Sequence, residues 1–511
     1  MHLNRLLSTP VHQDRKDNEC RSKKRTSPAA RQKPLKEQQT AAPTPAATTV
    51  EPTARQPLAK APLTAARIPA GMTVARMAVP MVAQTAVPTV AQTAERTAAL
   101  TPDLALRSGP QVSDLRPALS RCLTIDTDRF AVEHWGQAPL LSATTGFTDL
   151  FSSDAVDELL TVRGIRTPFL RMARNGQILA AATYTSTGGV GATITDQADP
   201  AKIHALMAEG ATLVLQGLHR TWAPLQEFAR QLHDDLGHAV QVNAYVTPPG
   251  AQGFAPHYDT HDVFVLQIAG TKDWQIHRPV IAAPGPDQPW SNVRSQVASR
   301  ASEPAYLTTT LTPGDCLYLP RGWLHSAVAD DRTSIHVTIG IHPLTTADVA
   351  SAIVAEVTAA DPELRRSLPV GAVAAPSGLA DAIDAARKDL MAALAAMPTE
   401  QVATRLLRQF DESQRAEPVS PLQQLDAVRD LTTRSVVRLR EGLRPALSDA
   451  GGRCRLTAGG RFVEAPEACG DALRALATGA EVTVQDLPGV EGNIAVALVR
   501  RALTEGIVIP A

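Results

Sequence analysis

The sequence predicts an α+β fold centred on an antiparallel barrel or jelly roll, with helices at its flanks. Three observations carry this. Seven short runs rich in Val, Ile, Thr and aromatic residues fall at 241–247, 262–268, 272–277, 305–309, 316–319, 324–329 and 333–341, separated by Pro/Gly turns. Apolar residues at helical spacing occur on both sides of them. The composition changes near residue 113, where a folded chain is expected to begin. A chain of 511 residues is too long for one core. Four regions are expected: 1–112, 113–345, 346–425 and 426–511.

Residues 1–112 are expected to be disordered. RSKKRTSPAARQKPLKEQQ is basic and polar, and the rest of the region is dominated by Ala, Pro and Thr. Aromatic residues are absent there, so little apolar surface is available to offset ordering entropy. VAQTA at 82–86 and 90–94 is a low-complexity echo. The basic part reads first as a solvated leader, with an RNA- or ribosome-seeking tail as the alternative.

Beyond about Leu115, Asp126 stands where an N-cap would open a helix into FAVEHWGQAPLL, and Ser153–Leu160 reads as a second capped helix. Thr212–Leu215 is a short buried strand. Apolar residues at 222, 225, 228, 229, 232 and 236 predict a helix over Trp222–Leu236. The seven strands come next. Residues 279–303 lack periodicity and read as an insertion between strands, either a lid or an inert loop. After His342, Ala- and Leu-rich helices are expected at 346–359, 378–397 and 399–412. An apolar stripe on such helices needs a partner surface, and a homodimer is expected to supply it. The terminal region mixes helical spacing with RCRLTA, RFVEAP, EVTVQDL and EGIVIPA, the outline of a winged-helix-like domain.

Composition narrows the function classes. The formal net charge of -1 gives no global field toward nucleic acid or an anionic membrane. From residue 431 there are ten arginines, no lysine and nine carboxylates, a near-neutral balance that argues against a DNA-reading face. Five scattered cysteines form no C-x-x-C pair, so neither a disulfide framework nor a zinc ribbon is expected, and a reducing cytoplasm is. The N-terminus breaks into charge before an apolar core of a leader can form, and no run of about 18 apolar residues occurs. No signal peptide or membrane association is expected.

The chemistry lies between Asn243 and His342. His257-Tyr258-Asp259 is a His-x-Asp run. In an extended chain, residues i and i+2 face the same way, about 6.5 Å apart, so His257 and Asp259 converge while Tyr258 turns away. His325 comes after a Pro320-Arg321-Gly322 turn in the form G-x5-P-x-G-x2-H, and the turn aims it into a barrel. Two imidazoles and one carboxylate are the set that binds non-haem Fe(II) with open positions. Lys272 opens a strand after Gly270-Thr271 and alternates with Trp274 and Ile276 on one face. An inward lysine is costly unless an anion neutralises it.

The Gly314–His325 run resembles the second motif of the cupins. With His-x-Asp it resembles the JmjC/cupin-4 family of Fe(II)- and 2-oxoglutarate-dependent oxygenases, most of all the ribosomal oxygenases, which hydroxylate ribosomal proteins. FAVEHWGQAPLL, DPELRRSLPVG and the terminal region share in the likeness. The resemblance implies a double-stranded β-helix of the cupin/JmjC kind. It implies Fe(II) on His257, Asp259 and His325, with 2-oxoglutarate and O2 as co-substrates. It further implies that Lys272 pairs with the distal carboxylate of 2-oxoglutarate, while Asn243 and Thr338 line the same pocket. His336 and Tyr245 are further candidates for the lining; His261, His277 and His342 read as ordinary. Gly340 departs from the small hydroxyl residue of the relatives, so the far wall of the pocket is expected to differ.

A protein hydroxylase acting on a ribosomal protein is therefore the leading expectation. A peptide or small-molecule tailoring hydroxylase and an N-methyl demethylase use the same chemistry. A DNA-binding regulator with a cupin sensor is the non-enzymatic alternative, against which the charge balance of the terminal region speaks; a non-enzymatic cupin is the remaining one, and it would not need Lys272.

Overall fold

The computed structural model describes residues 116–511 apart from Ala192, Ala375 and Gln414. The disorder expected for 1–112 lies outside the described residues. Asp126 caps the Thr127–Glu133 helix, accepting the Arg129 N–H at 2.8 Å. Ser152, one residue earlier than expected, caps Ser153–Thr161.

Strands β1 (Leu140–Ala143), β2 (Leu170–Arg174), β3 (Gln177–Ile178), β4 (Thr185–Ser186), β5 (Gln197–Ala198) and β6 (Thr212–Leu215) precede the seven expected runs. Those runs are β7 (Ala239–Thr247), β8 (Asp262–Ala269), β9 (Lys272–His277), β10 (Leu307–Leu311), β11 (Asp315–Leu319), β12 (Leu324–Ala329) and β13 (Ser334–His342). An eight-stranded sheet runs β1-β11-β8-β13-β7-β6-β2-β3, and a three-stranded sheet runs β10-β9-β12. Their pairings are antiparallel, as in a jelly roll.

Strand alternation separates two layers. Val263, Val265, Leu317 and Leu319 of the large sheet meet Trp274, Ile276 and Leu311 of the small sheet. The opposite face of the large sheet, with Val242, Ala244, Val246, Val337 and Ile339, packs with Leu225, Phe228 and Leu232 of the Ala223–Leu236 helix. Each such buried side chain contributes about 1.5–3 kcal/mol relative to exposure. The inner face of β7 and β13 is thus left to polar residues, which is where a site can form.

The insertion after β9 is partly helical, unlike its expected irregular form. A 3-10 turn at Trp290–Val293 runs into a helix at Arg294–Ala301. Val297 is the one residue of that helix buried, against Tyr258 and Leu324. One anchor in eight residues makes no apolar stripe, so periodicity could not reveal it.

Beyond β13, Thr345 and Asp348 form a capping box that opens the Thr346–Ala360 helix. Helices Pro376–Ala396 and Thr399–Ser413 come after it. Among their described residues, Pro376–Ala396 buries none, and Ile383 and Met391 are exposed.

A second core lies toward the C-terminus, where Leu456, Val463, Leu473, Leu498 and Val499 pack together. It is built by the Pro421–Arg429 helix, β14 (Val436–Leu439), a meander β15 (Ala446–Ala450), β16 (Arg453–Ala458) and β17 (Arg461–Pro466), the Gly470–Ala477 helix, β18 (Val482–Thr483), the Gly492–Thr504 helix and β19 (Val508–Pro510). β14 lies between β18 and β19, and the meander forms its own sheet. Pro421–Arg429 spans the boundary expected at 426, and its Ala427 and Val428 pack on this core. Among the described residues no helix is long and apolar enough to cross a membrane.

Candidate metal centre

The segment before β8 is extended and lies beside β12. The His257 N–H donates to the His325 carbonyl at 3.1 Å, and the His325 N–H donates to the His257 carbonyl at 2.8 Å. Alternation then acts as the sequence predicts. Tyr258 turns away, is buried, and donates its hydroxyl to the Gln288 carbonyl at 2.8 Å. His257 and Asp259 turn toward His325.

The turn before β12 fixes the third residue. Gly322 has φ +86°, and a Cβ there would lie 2.6 Å from the Ile281 carbonyl oxygen. Only glycine suits both conditions. Its N–H donates to the Asp259 carbonyl at 3.0 Å, which ties the turn to the His-x-Asp segment.

One nitrogen or oxygen from each of His257, Asp259 and His325 lies within 4.8 Å of the others. His325 Nε2 is 3.7 Å from Asp259 Oδ2, and the two imidazole centroids are 4.5 Å apart. His257 Nδ1 lies 2.8 Å from the Ala255 carbonyl, and His325 Nδ1 3.1 Å from that of Trp323. A carbonyl only accepts, so each Nδ1 holds the proton and each Nε2 keeps a lone pair for a cation. Burial pushes His325 down to about 4, with His257 adding to the effect, so its ring is neutral near pH 7. Burial acts to raise the Asp259 carboxyl, but His257, His325, His261 and Arg171 together outweigh it and hold the group below its ordinary value. Two neutral donors and one anion fit a divalent cation.

These residues line a cavity of about 340 Å³ that also includes Lys272 and Thr338. Lys272 is buried, and burial pushes its ammonium down to about 7. Its Nζ donates to Thr247 Oγ1 at 3.1 Å, and no carboxylate pairs with it among the described residues. A buried cation held only by a hydroxyl fits a carboxylate-bearing ligand. Tyr245 and His336 also line the cavity, stacked at 4.9 Å with planes 4° apart. Burial raises the Tyr245 hydroxyl to about 12, and burial with Lys272 and His325 keeps His336 well below its ordinary value.

Asn243 stands elsewhere. It is not among the residues that line this cavity. Its Oδ1 accepts the Gly217 N–H at 3.1 Å, and it lines a second cavity, of about 410 Å³, with Arg220, His233 and Arg415. Gly217, at φ +66° after β6, turns its N–H onto the Asn243 amide and commits it there. Gly340 is likewise not among the residues that line this cavity; a Cβ there would lie 2.7 Å from the His261 ring, which itself stacks on His342.

Sequence reasoning missed Arg171, Phe254 and Trp290, all of which line the metal cavity. For Arg171 a signal was present. It lies between Leu170 and Met172 in β2, and both neighbours belong to the core. A charged residue flanked so must face the opposite side of its sheet.

Residues 220–349 match the family described as JmjC domain. Over 231 residues, 44% of this chain, human ribosomal oxygenase 1 is 33% identical. The bifunctional lysine-specific demethylase and histidyl-hydroxylase NO66 of Dictyostelium discoideum is 30% identical over 217 residues, 42% of this chain, and that of Drosophila persimilis 29% over the same length. The chain spans 34%, 40% and 30%, respectively, of the length of these curated relatives. A structure of the ribosomal oxygenase YcfD from Escherichia coli, in complex with cobalt and 2-oxoglutarate, aligns over 76% of this chain and 98% of its own, at 18% identity and a TM-score of 0.42.

Proposed function

From a chain that carries a JmjC domain at residues 220–349, we propose a protein hydroxylase dependent on Fe(II) and 2-oxoglutarate. One observation carries the reading. A His/Asp/His set and a buried lysine without a carboxylate partner converge on one cavity. A His/Asp/His set alone suits many metal proteins, and a buried lysine alone suits many anion sites. A sensor domain would have no use for the lysine.

Bound iron, with 2-oxoglutarate and O2, supplies the oxidation of a substrate C–H bond. The chain's own residues do the rest. His257 and His325 give neutral nitrogen donors, their rings fixed by the Ala255 and Trp323 carbonyls. Asp259 gives the anion, which leaves no place for a halide and so favours hydroxylation. Lys272 neutralises the distal carboxylate of 2-oxoglutarate, with Thr247 orienting its ammonium. Thr338 offers a hydroxyl on the same wall, and Val263, Val265 and Trp274 exclude water.

The substrate proposed is a ribosomal protein in the cytoplasm. The names borne by the relatives support this, and so do the helices and the second core that follow the jelly roll, more apparatus than a small metabolite requires. The region 426–511 is read as a winged-helix-like domain turned to protein. The test incubates the enzyme with iron, 2-oxoglutarate and ribosomal proteins from a deletion strain. A shift of about 16 Da, one oxygen, is expected on one of them. If a small peptide or metabolite is oxidised instead, the tailoring-enzyme reading replaces this one.

Region 346–425 is proposed to hold a homodimer. The Pro376–Ala396 helix, which buries none of its described residues and leaves Ile383 and Met391 exposed, supports it. Light scattering on the full chain is expected to give twice the monomer mass, and the double variant Ile383→Glu, Met391→Glu is expected to give the monomer. An unchanged dimer would place the interface elsewhere.

A further inference from the structure

The metal cavity contains a second cation that the proposed chemistry leaves unused. Arg171 lies on β2, paired with Val214 of β6, and faces the cavity while Leu170 and Met172 face the core. Its Nε is buried without a hydrogen-bond partner, and no carboxylate forms an ion pair with it among the described residues. Its guanidinium carbon stands 5.7 Å from the Phe254 ring centroid, and Phe254 in turn lies 5.8 Å from the ring of His257. The aromatic ring holds the guanidinium beside the metal residues but does not satisfy its donors. The Tyr245 hydroxyl accepts a hydrogen bond from the guanidinium, but as a neutral group it leaves the charge unmatched and the Nε donor free.

The charge inventory of the cavity is short. Apart from its histidines, its lining includes one carboxylate, Asp259, and two basic side chains, Arg171 and Lys272. On the hydroxylase reading above, on which this inference rests, Asp259 is committed to the metal. The two carboxylates of 2-oxoglutarate are matched by the metal and Lys272. The charge on Arg171 remains, beside the space where a target side chain must come.

We propose that Arg171 sets the class of residue that this cavity accepts. A side chain bearing a neutral hydrogen-bond acceptor, such as an imidazole or an amide, enters and accepts from the guanidinium. Lysine, methylated lysine and arginine are excluded, because each adds a cation where no carboxylate is left to receive it. The names of the relatives include both a lysine-directed and a histidine-directed reaction; the charge of this cavity selects against the first.

The test reads binding, so that it does not depend on turnover. The Mn(II)-loaded protein with a non-reactive 2-oxoglutarate analogue is immobilised. It is then offered peptide pools with random flanks and a fixed central residue: His, Asn, Leu, Lys, trimethyl-lysine or Arg. The parent protein is expected to retain the His or Asn pool at least about tenfold over the Lys, trimethyl-lysine and Arg pools, the scale of a charge-assisted hydrogen bond. Arg171→Met should level the preference, and Arg171→Glu should reverse it. Retention of the cationic pools by the parent, equal retention of all pools, or an unchanged preference in folded Arg171→Glu would each overturn the proposal. Succinate formation by the parent protein is measured in parallel. Its absence tells against the oxygenase reading and leaves the pool preference to be judged on its own.

Discussion

Replacing His257 or Asp259 with alanine is expected to abolish 2-oxoglutarate turnover and remove tight Fe(II) or Mn(II) binding, while the far-ultraviolet dichroism stays that of the parent. Both side chains point into a cavity, and neither belongs to the apolar clusters that hold the sheets together. The contact that ties their segment to β12 runs through the main-chain groups of His257 and His325, which alanine retains. Tyr258, the anchor between them, is also untouched. Removing Asp259 takes away the only carboxylate of the set, and removing His257 takes one of two neutral donors, so each variant loses a third of the ligands at a site that has three. Metal content by elemental analysis and succinate formation check the result. Turnover retained in both variants would end the assignment.

Lys272→Ala is expected to weaken 2-oxoglutarate binding at least about tenfold, the loss of about 1.5–3 kcal/mol in a charge-assisted hydrogen bond, with a much smaller effect on the metal. The same lysine predicts a pH dependence. Its ammonium titrates near 7 in the free cavity because burial disfavours the charge. Below that pH the lysine already carries the proton that the carboxylate needs. Above it, binding must take up a proton, so the apparent affinity falls as pH rises, approaching tenfold per unit. The folded protein responds in the opposite sense. Between about 7 and the ordinary lysine value of about 10.4, the unfolded chain holds a proton that the native cavity has released, so the ligand-free protein gains stability with rising pH. Calorimetry in buffers of different ionisation enthalpy reads the proton uptake directly. No uptake at pH 8, with an affinity unchanged in Lys272→Ala, would show that another residue anchors the carboxylate.

The strands were legible because their two faces differ. Ile335, Val337, Ile339 and Ile341 of β13 face the helical layer, and His336 and Thr338 face the cavity, so alternation marked the strand, while the role of Thr338 came from the family resemblance. His257, Asp259 and His325 were legible because local rules place them, a period of two and a proline-glycine turn. Lys272 alternates in the same way, buried with Trp274 and Ile276 while Asp273 and Gln275 are exposed, but at a strand's first position alternation also suits a solvated turn residue, and the family resemblance decided the reading. What escaped depends on partners distant in sequence. Arg171 faces the metal residues only because β2 joins the sheet through β6 and β7. Asn243 lies on the same strand as Tyr245, but a backbone N–H from Gly217 claims its amide. β15 is exposed along its whole length and carries no alternation to read.

The paired backbone hydrogen bonds between His257 and His325 bear on when the site comes into being. The two residues belong to segments separated by β8, β9, the partly helical insertion, β10 and β11. Closing so long a loop is a late and costly event for a folding chain. Half-folded forms that have made only the local hairpins therefore have no site, and a divalent ion distinguishes the finished barrel from them. Whatever binds only the finished form stabilises it by mass action. A divalent ion bound there would then act apart from chemistry, as a clasp on the seam between the His-x-Asp segment and β12, and the stability of the folded chain would become a function of the metal supplied to it.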